Sequence, residues 1–322
     1  MLPRKAAAAL QWVYRKFIQR LRSAARAVID KPGAMGYNGA RIGGACVRTE
    51  RFARNRNGAG QCVMERAEIA GGGAPPLALW HDEQYESRLR MKNMLMEAAA
   101  RCGMELDERS AAQMAEFWSY LKEVNQSMNL TRVDSDAEAA ERHFVDSLAP
   151  LKAGLIPRGA RVLDVGSGAG FPGMPLAIAR PDADVTLMDS LGKRVNFLGE
   201  AARRAGVRVS AVHARAEEAA RGELREAFDV VTARAVARLN VLCELALPFV
   251  RVGGVLVAYK GPAADEELAE AAAAIKRLGG GAARVLSADM PGRDARLVVV
   301  KKLTPTPKSF PRRPGEAARK PI

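Results

Sequence analysis

The spacing of hydrophobic positions changes twice along the 322-residue chain. In residues 1–29, Leu10, Val13, Phe17, Leu21, Ala24 and Val28 recur at helical spacing, with no acidic residue before Asp30. That pattern predicts a basic amphipathic helix. Residues 33–60 are rich in Gly, Arg and Asn, and Gly71-Gly72-Gly73-Ala74-Pro75-Pro76 interrupts the chain. Such composition buries too little apolar surface to order itself. From 85 to 154 helical spacing returns. Leu95, Ala98, Ala99 and Cys102 mark one apolar face, and Met114, Phe117, Trp118, Leu121 and Val124 mark another. Leu106-Asp107-Glu108-Arg109 reads as the turn that starts a helix, and a third helix is expected over 139–148.

From Arg161 the period changes again. Short β-branched and aliphatic runs predict strands at 161–165, 185–189, 207–213, 228–233, 254–259, 283–288 and 296–301, with helices at 172–179, 194–205, 239–250 and 264–278. This alternation predicts an α/β fold, a seven-stranded Rossmann-like sheet with helices on both faces. The connection Asp289-Met290-Pro291-Gly292 is short enough to allow only an antiparallel return. The chain thus divides into a low-complexity basic extension (1–84, disordered or mis-assigned), a helical cap (85–155), a sheet domain (156–303) and a basic C-terminal tail (304–322).

Charge sharpens this division. The net charge is +14, but residues 1–90 carry +9, residues 301–322 carry +6, and the body between them carries −1. Basic ends favour a polyanion such as RNA, or merely solubilise; charge alone does not choose. Residues 1–29 would suit a transit or membrane-surface segment, but the reading preferred is an appended extension. The four cysteines form no Cys-x-x-Cys pair, and no apolar run approaches membrane-spanning length. The expectation is a cytoplasmic protein with neither metal nor membrane partner.

The strongest motif is Asp164-Val165-Gly166-Ser167-Gly168-Ala169-Gly170-Phe171-Pro172-Gly173, between the first strand and the first helix of the sheet. Its glycines let a ligand lie against the main chain. A dinucleotide fingerprint would require glycine where Phe171 stands. Asp164 would repel a pyrophosphate and suits a cationic amino group, such as that of S-adenosylmethionine. Asp189, ending the second strand, is placed to accept ribose hydroxyls from a nicotinamide or a methyl-donor cofactor alike. After the third strand, Arg215-Ala216-Glu217-Glu218 offers a backbone N–H and an acidic side chain that suit an adenine edge, or simply starts a helix, since acids favour the first turn. Arg234 and Lys260, at the carboxyl ends of the fourth and fifth strands, suit a carboxylate, a phosphate or a guanine edge. No Asn/Asp-Pro-Pro-Tyr/Phe motif follows the fourth strand and no Pro-Cys nucleophile stands in the body. Both absences disfavour methylation at amino groups of adenine or cytosine and at pyrimidine carbon 5. His143 stands alone on a helix and receives no chemical role. Two rival readings remain at this point, a nicotinamide-dependent oxidoreductase and a non-catalytic RNA-binding protein.

Beyond these features, the sequence resembles the glucose-inhibited division protein B family of bacterial 16S rRNA (guanine-N7)-methyltransferases. The resemblance covers about 91–322. It rests on the glycine loop and on Asn125-Gln126-Ser127-Met128-Asn129-Leu130-Thr131, Arg142-His143-Phe144-Val145-Asp146-Ser147 and Asp189-Ser190-Leu191-Gly192-Lys193-Arg194-Val195. Arg215-Ala216-Glu217-Glu218, Thr232-Ala233-Arg234-Ala235, Tyr259-Lys260-Gly261 and Phe310-Pro311-Arg312-Arg313-Pro314-Gly315 also match. The sequence departs at Val124, where the family carries tryptophan, and at Ala216, where a larger aliphatic residue is usual; residues 1–90 have no counterpart. The resemblance implies methylation of guanosine N7 in 16S rRNA or the small ribosomal subunit. It implies S-adenosyl-L-methionine contacts at Gly166, Phe171, Ala216, Glu217 and Arg234, to which the residues themselves add Asp164, Gly168 and Asp189. Arg234 and Lys260 are expected to orient cofactor and RNA, and no residue is assigned as a catalytic acid or base.

Overall fold

The computed structural model describes residues 40–42, 45–49, 67–70 and 83–322, which fall in two units, Met1–Trp80 and His81–Ile322. The helix expected over 1–29 lies outside the described residues. In the first unit, β1 (Ala40–Ile42), β2 (Ala45–Thr49) and β3 (Ala67–Ala70) form an antiparallel sheet in that order. Periodicity predicted no element there, because runs of three to five residues interleaved with Arg and Ala carry almost no alternation signal.

The second unit opens with the helical cap. In α1 (Glu83–Arg101), Met91, Leu95, Ala98 and Ala99 are buried, and the helix packs on α2 (Glu108–Met128), which buries Met114, Phe117, Trp118 and Leu121. Asp107 caps α2 by accepting the Ser110 N–H at 2.9 Å, and Asn129, at φ 50°, ends it in the left-handed region. The third expected helix is divided. A short α3 (Asp136–Ala139) runs into a π-helical turn, Ala140–Val145, and α4 (Ala149–Lys152) follows. Such turns are rare and carry no period of their own in a sequence.

The sheet contains β4 (Arg161–Val165), β5 (Asp184–Asp189), β6 (Ser210–His213), β7 (Phe228–Arg234), β8 (Val250–Lys260), β9 (Gly280–Ser287) and β10 (Arg296–Lys302), in the order β6-β5-β4-β7-β8-β10-β9. β6, β5, β4, β7 and β8 run parallel, and β10 is antiparallel to β8 and to β9, the latter as the short connection between them requires. Helices α5 (Gly173–Ala179), α6 (Gly192–Ala205), α7 (Ala216–Ala219), α8 (Leu239–Ala246), α9 (Ala264–Glu270) and α10 (Ala272–Arg277) connect the strands. Val162 belongs to the core under the cap, whereas Leu163 belongs to the core on the other face. That two-sided burial explains why β4 reads as a nearly continuous apolar run. The chain leaves β4 outward to β5 and β6, then crosses back to β7. The switch point therefore lies between β4 and β7, where ligands of such sheets bind.

The C-terminal segment is a packed strap rather than a free tail. Phe310 and Ala317 are buried, and a short α11 (Glu316–Arg319) closes the chain. Arg312 makes a forked ion pair with Glu244, which is 1% exposed. Arg225 donates to the carbonyls of Thr306 and Phe310, Arg221 to that of Pro311, and buried Lys302 to Leu247 O and Thr306 Oγ1. Part of the +6 charge read from this end is therefore spent inside the fold. Lys301, Lys308, Arg313, Arg319 and Lys320 remain exposed.

Candidate functional site

At the carboxyl end of β4 the chain turns through three glycines with positive φ, Gly166 at 70°, Gly168 at 57° and Gly170 at 97°. The N–H groups of Gly166 and Ser167 donate to Met188 O at 2.8 and 3.0 Å, which pins the loop to β5. A Cβ at Gly166 would come 2.8 Å from Val236 Cγ2, and φ 70° is a conformation that residues with a side chain rarely adopt, so the position favours glycine. A Cβ at Gly173 would meet Leu187 Cδ2 at 2.2 Å, which shows how closely α5 lies on the sheet. Pro172 occupies the cap position of α5, one residue earlier than a first helical position.

Asp164 sits beneath this loop. It is fully buried, its Oδ2 accepts the Gly173 N–H at 3.1 Å, and its Oδ1 accepts the Thr232 hydroxyl at 3.1 Å. Burial raises its pKa to about 6. The expected direct contact with a cationic ligand group is thus replaced by a supporting role, because the carboxylate is enclosed by the loop that it holds. Asp189 stands at the end of β5, as expected. Its Oδ1 accepts the Leu191 N–H and its Oδ2 the Gly168 N–H, each at 2.9 Å, with Arg194 Nη1 at 3.5 Å. A carboxylate has about four acceptor sites, so one remains here for a ribose hydroxyl, on a side chain that is 3% exposed.

Arg234 ends β7 and ties the cap to the sheet. Its Nη1 donates to Arg142 O at 3.0 Å and to Asp146 Oδ2 at 3.3 Å. Its Nη2 lies 3.4 Å from His143 Nδ1, and its guanidinium stands 5.3 Å from the Phe171 ring centroid. His143 stacks on Phe171 with centroids 4.5 Å apart, and its Nε2 meets Thr131 Oγ1 at 2.8 Å. Asn125 holds Thr131 in place, since its side chain accepts the Thr131 N–H at 2.9 Å and donates to Thr131 O at 3.0 Å. Four stretches far apart in sequence, around Asn125–Thr131, His143–Asp146, Phe171 and Arg234, therefore meet at the switch point. Phe171 is itself packed against Phe117 and Phe144, with centroids 5.3 and 5.1 Å away.

His143 is the residue that sequence reasoning missed. The signal was available, since Arg142-His143-Phe144-Val145-Asp146-Ser147 is one of the matching motifs. A histidine read as alone on a helix, however, gives no hint of a guanidinium some 90 positions later. Burial, reinforced by the Arg234 charge, pushes the His143 pKa down to about 4. Burial pushes that of Asp146 up, against the pull of Arg234. The sign for His143 follows. Its folded pKa lies below the ordinary value near 6.5, so its contribution to stability is present above that pH and is lost as pH falls toward 4. His143→Gln is expected to flatten the loss of stability between pH 7 and 5, measured as urea midpoints at both. Asp164 acts in the opposite direction but is present in both proteins, so the difference isolates His143. An unchanged slope would count against a buried neutral imidazole.

Lys260 departs from expectation. Its ammonium donates to Ala237 O at 2.8 Å and to Glu267 at 2.7 Å, and its side chain is 9% exposed. A lysine held in this way fixes the segment after β7 and is not presented to RNA. Ala216 opens α7 after β6, a four-residue helix that periodicity did not predict. Glu217 carries a contact that the sequence did not suggest, because its Oε1 accepts the Gly315 N–H of the strap at 3.0 Å. Among the described residues, no helix is long and apolar enough to cross a membrane, and no cluster of three His, Cys, Asp or Glu could hold a metal ion.

The profile of the GidB family, described as rRNA small subunit methyltransferase G, matches residues 110–295. The protein named ribosomal RNA small subunit methyltransferase G from Clostridium perfringens is 42% identical over 234 residues, 71% of this chain and 98% of that protein. Its namesake from Desulforamulus reducens is 45% identical over 232 residues, 71% of this chain and 97% of its own length. A solved SAM-dependent methyltransferase from Aquifex aeolicus overlaps 54% of this chain and 97% of its own, with 18% identity and a TM-score of 0.42. The profile spans more than half of the chain and the relatives align over nearly their whole length, so this chain belongs to the rRNA small subunit methyltransferase G (GidB) family.

Proposed function

We propose that the chain transfers the methyl group of S-adenosyl-L-methionine to N7 of a guanosine in 16S rRNA, acting in the cytoplasm on the RNA or the small ribosomal subunit. The observation that carries this reading is a nucleoside-type glycine loop with Asp189 beside it, walled by a cluster that joins the family's motifs around Arg234. The work is assigned to residues 85–322, with 1–84 an extension that the reaction does not need.

The residues fit the cofactor. Gly168 has room where a side chain would stand, Gly170 is closed in by Phe117, Met174 and Leu198, and Asp189 keeps one acceptor site for a ribose hydroxyl. Gly166 and Gly168 would lie along the cofactor, Phe171 would wall it, and Ala216 and Glu217 would read the adenine edge. When bound, S-adenosyl-L-methionine supplies an electrophilic methyl group on a sulfonium. Guanine N7 offers an in-plane lone pair and carries no proton, so the reaction needs no general base. The protein's task is alignment of acceptor and methyl group. Arg234 can face a base that becomes cationic because Asp146 already offsets its charge. RNA phosphates are left to the exposed cations of the strap and its surroundings, not to Lys260.

The test is incubation of the purified chain with tritiated S-adenosylmethionine and small ribosomal subunits lacking the modification. Label in 16S rRNA, together with binding of S-adenosylmethionine but not NAD, is the expected result. Binding of NAD would favour the oxidoreductase reading. RNA binding without transfer would favour a non-catalytic protein.

A further inference from the structure

We propose that the C-terminal strap is a positioning element of the cofactor site, acting through the Gly315 N–H on the Glu217 carboxylate. The proposal rests on the reading of Glu217 as an adenine contact, and it is independent of which RNA is methylated.

Glu217 and Gly315 are 98 positions apart, yet Gly315 N–H donates to Glu217 Oε1 at 3.0 Å. Among the described residues, Glu217 Oε2 has no hydrogen-bond partner, which leaves one oxygen for a ligand. A glutamate on a helix of four residues would otherwise sample several rotamers, and α7 is such a helix. One oxygen fixed by a backbone N–H sets the direction of the other.

The donor is placed by contacts of the strap itself. Gly315 has φ 76°, a conformation that side chains with a Cβ rarely adopt, and it opens α11. Three residues earlier, Arg312 is clamped on buried Glu244, and its Nη2 also donates to Lys320 O beyond the turn, at 2.8 Å. The turn 313–319 is thus closed from both sides by one guanidinium. The exposed cations Arg313 and Arg319 sit on this turn, and Lys320 follows it directly. An RNA that engaged them would act on the segment that orients Glu217.

Gly315→Val tests this with little risk to the fold, because a Cβ at Gly315 meets nothing within 4 Å. Valine is strongly disfavoured at φ 76°, so the turn must change and the N–H must leave Glu217. The readouts are calorimetric affinities of full-length protein for S-adenosylhomocysteine and for its inosine counterpart, in which the adenine amino group is replaced by oxygen. Glu217→Ala and the double variant complete a cycle. Gly315→Val is expected to weaken S-adenosylhomocysteine about five- to tenfold and the inosine ligand much less. The double variant should be no weaker than Glu217→Ala alone, since contacts in one chain of interactions are not additive. If Glu217→Ala weakens binding but Gly315→Val does not, or if the two losses multiply, the strap proposal is overturned. If Glu217→Ala leaves both ligands unaffected, the adenine reading of Glu217 fails first, and the proposal falls with it. A chain ending at Pro314 provides a second route to the same comparison, with thermal melting to show that it folds.

Discussion

Gly166→Asp is expected to abolish S-adenosylmethionine binding, with a loss of 100-fold or more in calorimetry. Three effects act together. Any side chain is strained at φ 70°, its Cβ would stand 2.8 Å from Val236, and a new carboxylate would enter a loop already facing Asp189. Strain of this kind costs on the order of 1–3 kcal/mol, and an unpaired charge in a partly buried site adds more. Asp189→Ala is the milder companion. It should cost about tenfold in affinity, because charge-assisted hydrogen bonds to the ribose are worth roughly 1.5–3 kcal/mol. Part of that loss would come through the loop itself, since Asp189 also holds Gly168. Unchanged affinity in both variants would remove the glycine loop as the cofactor site.

Arg234→Ala is expected to lower kcat/KM for methyl transfer by roughly 100-fold while costing about 3 kcal/mol of stability. The guanidinium bridges cap and sheet through Arg142 O and Asp146 and lies against Phe171. Its removal leaves a carboxylate whose side chain is 9% exposed without its cation. Arg234→Lys should recover little, because a single ammonium cannot replace a planar fork that reaches several partners at once. Activity within threefold of the unaltered protein in both variants would show that the cluster is dispensable for the reaction.

The parallel sheet was readable because β4, β5 and β7 are short aliphatic runs buried on both faces and punctuated by Gly, Pro and Asp. The glycine loop and Asp189 were readable for a related reason. Their roles depend on position next to a strand end, which local pattern supplies. What stayed hidden depends on contacts between distant residues. Nothing near Lys260 marks Glu267, seven positions on, as its partner, and nothing near Glu217 announces Gly315. Arg312 counts as a free cation in any sum over the tail until Glu244 is found beneath it. His143 looked structural in isolation, and its environment exists only once Phe171, Thr131 and Arg234 converge. Distance along the chain alone would suggest that loss of 304–322 spares the glycine loop and Asp189, and nothing in the sequence signals that Gly315 of this segment reaches Glu217.

The most direct measurement is a map of N7-methylguanosine in 16S rRNA from cells with the gene, without it, and with the deleted gene restored as residues 85–322 alone. Borohydride reduction followed by aniline cleavage reveals such bases as strand breaks. The account predicts one cleavage site in 16S rRNA that disappears on deletion and returns with the shortened chain. An identical cleavage pattern in all three strains, or loss of a methyl group from an amino nitrogen instead, would contradict it.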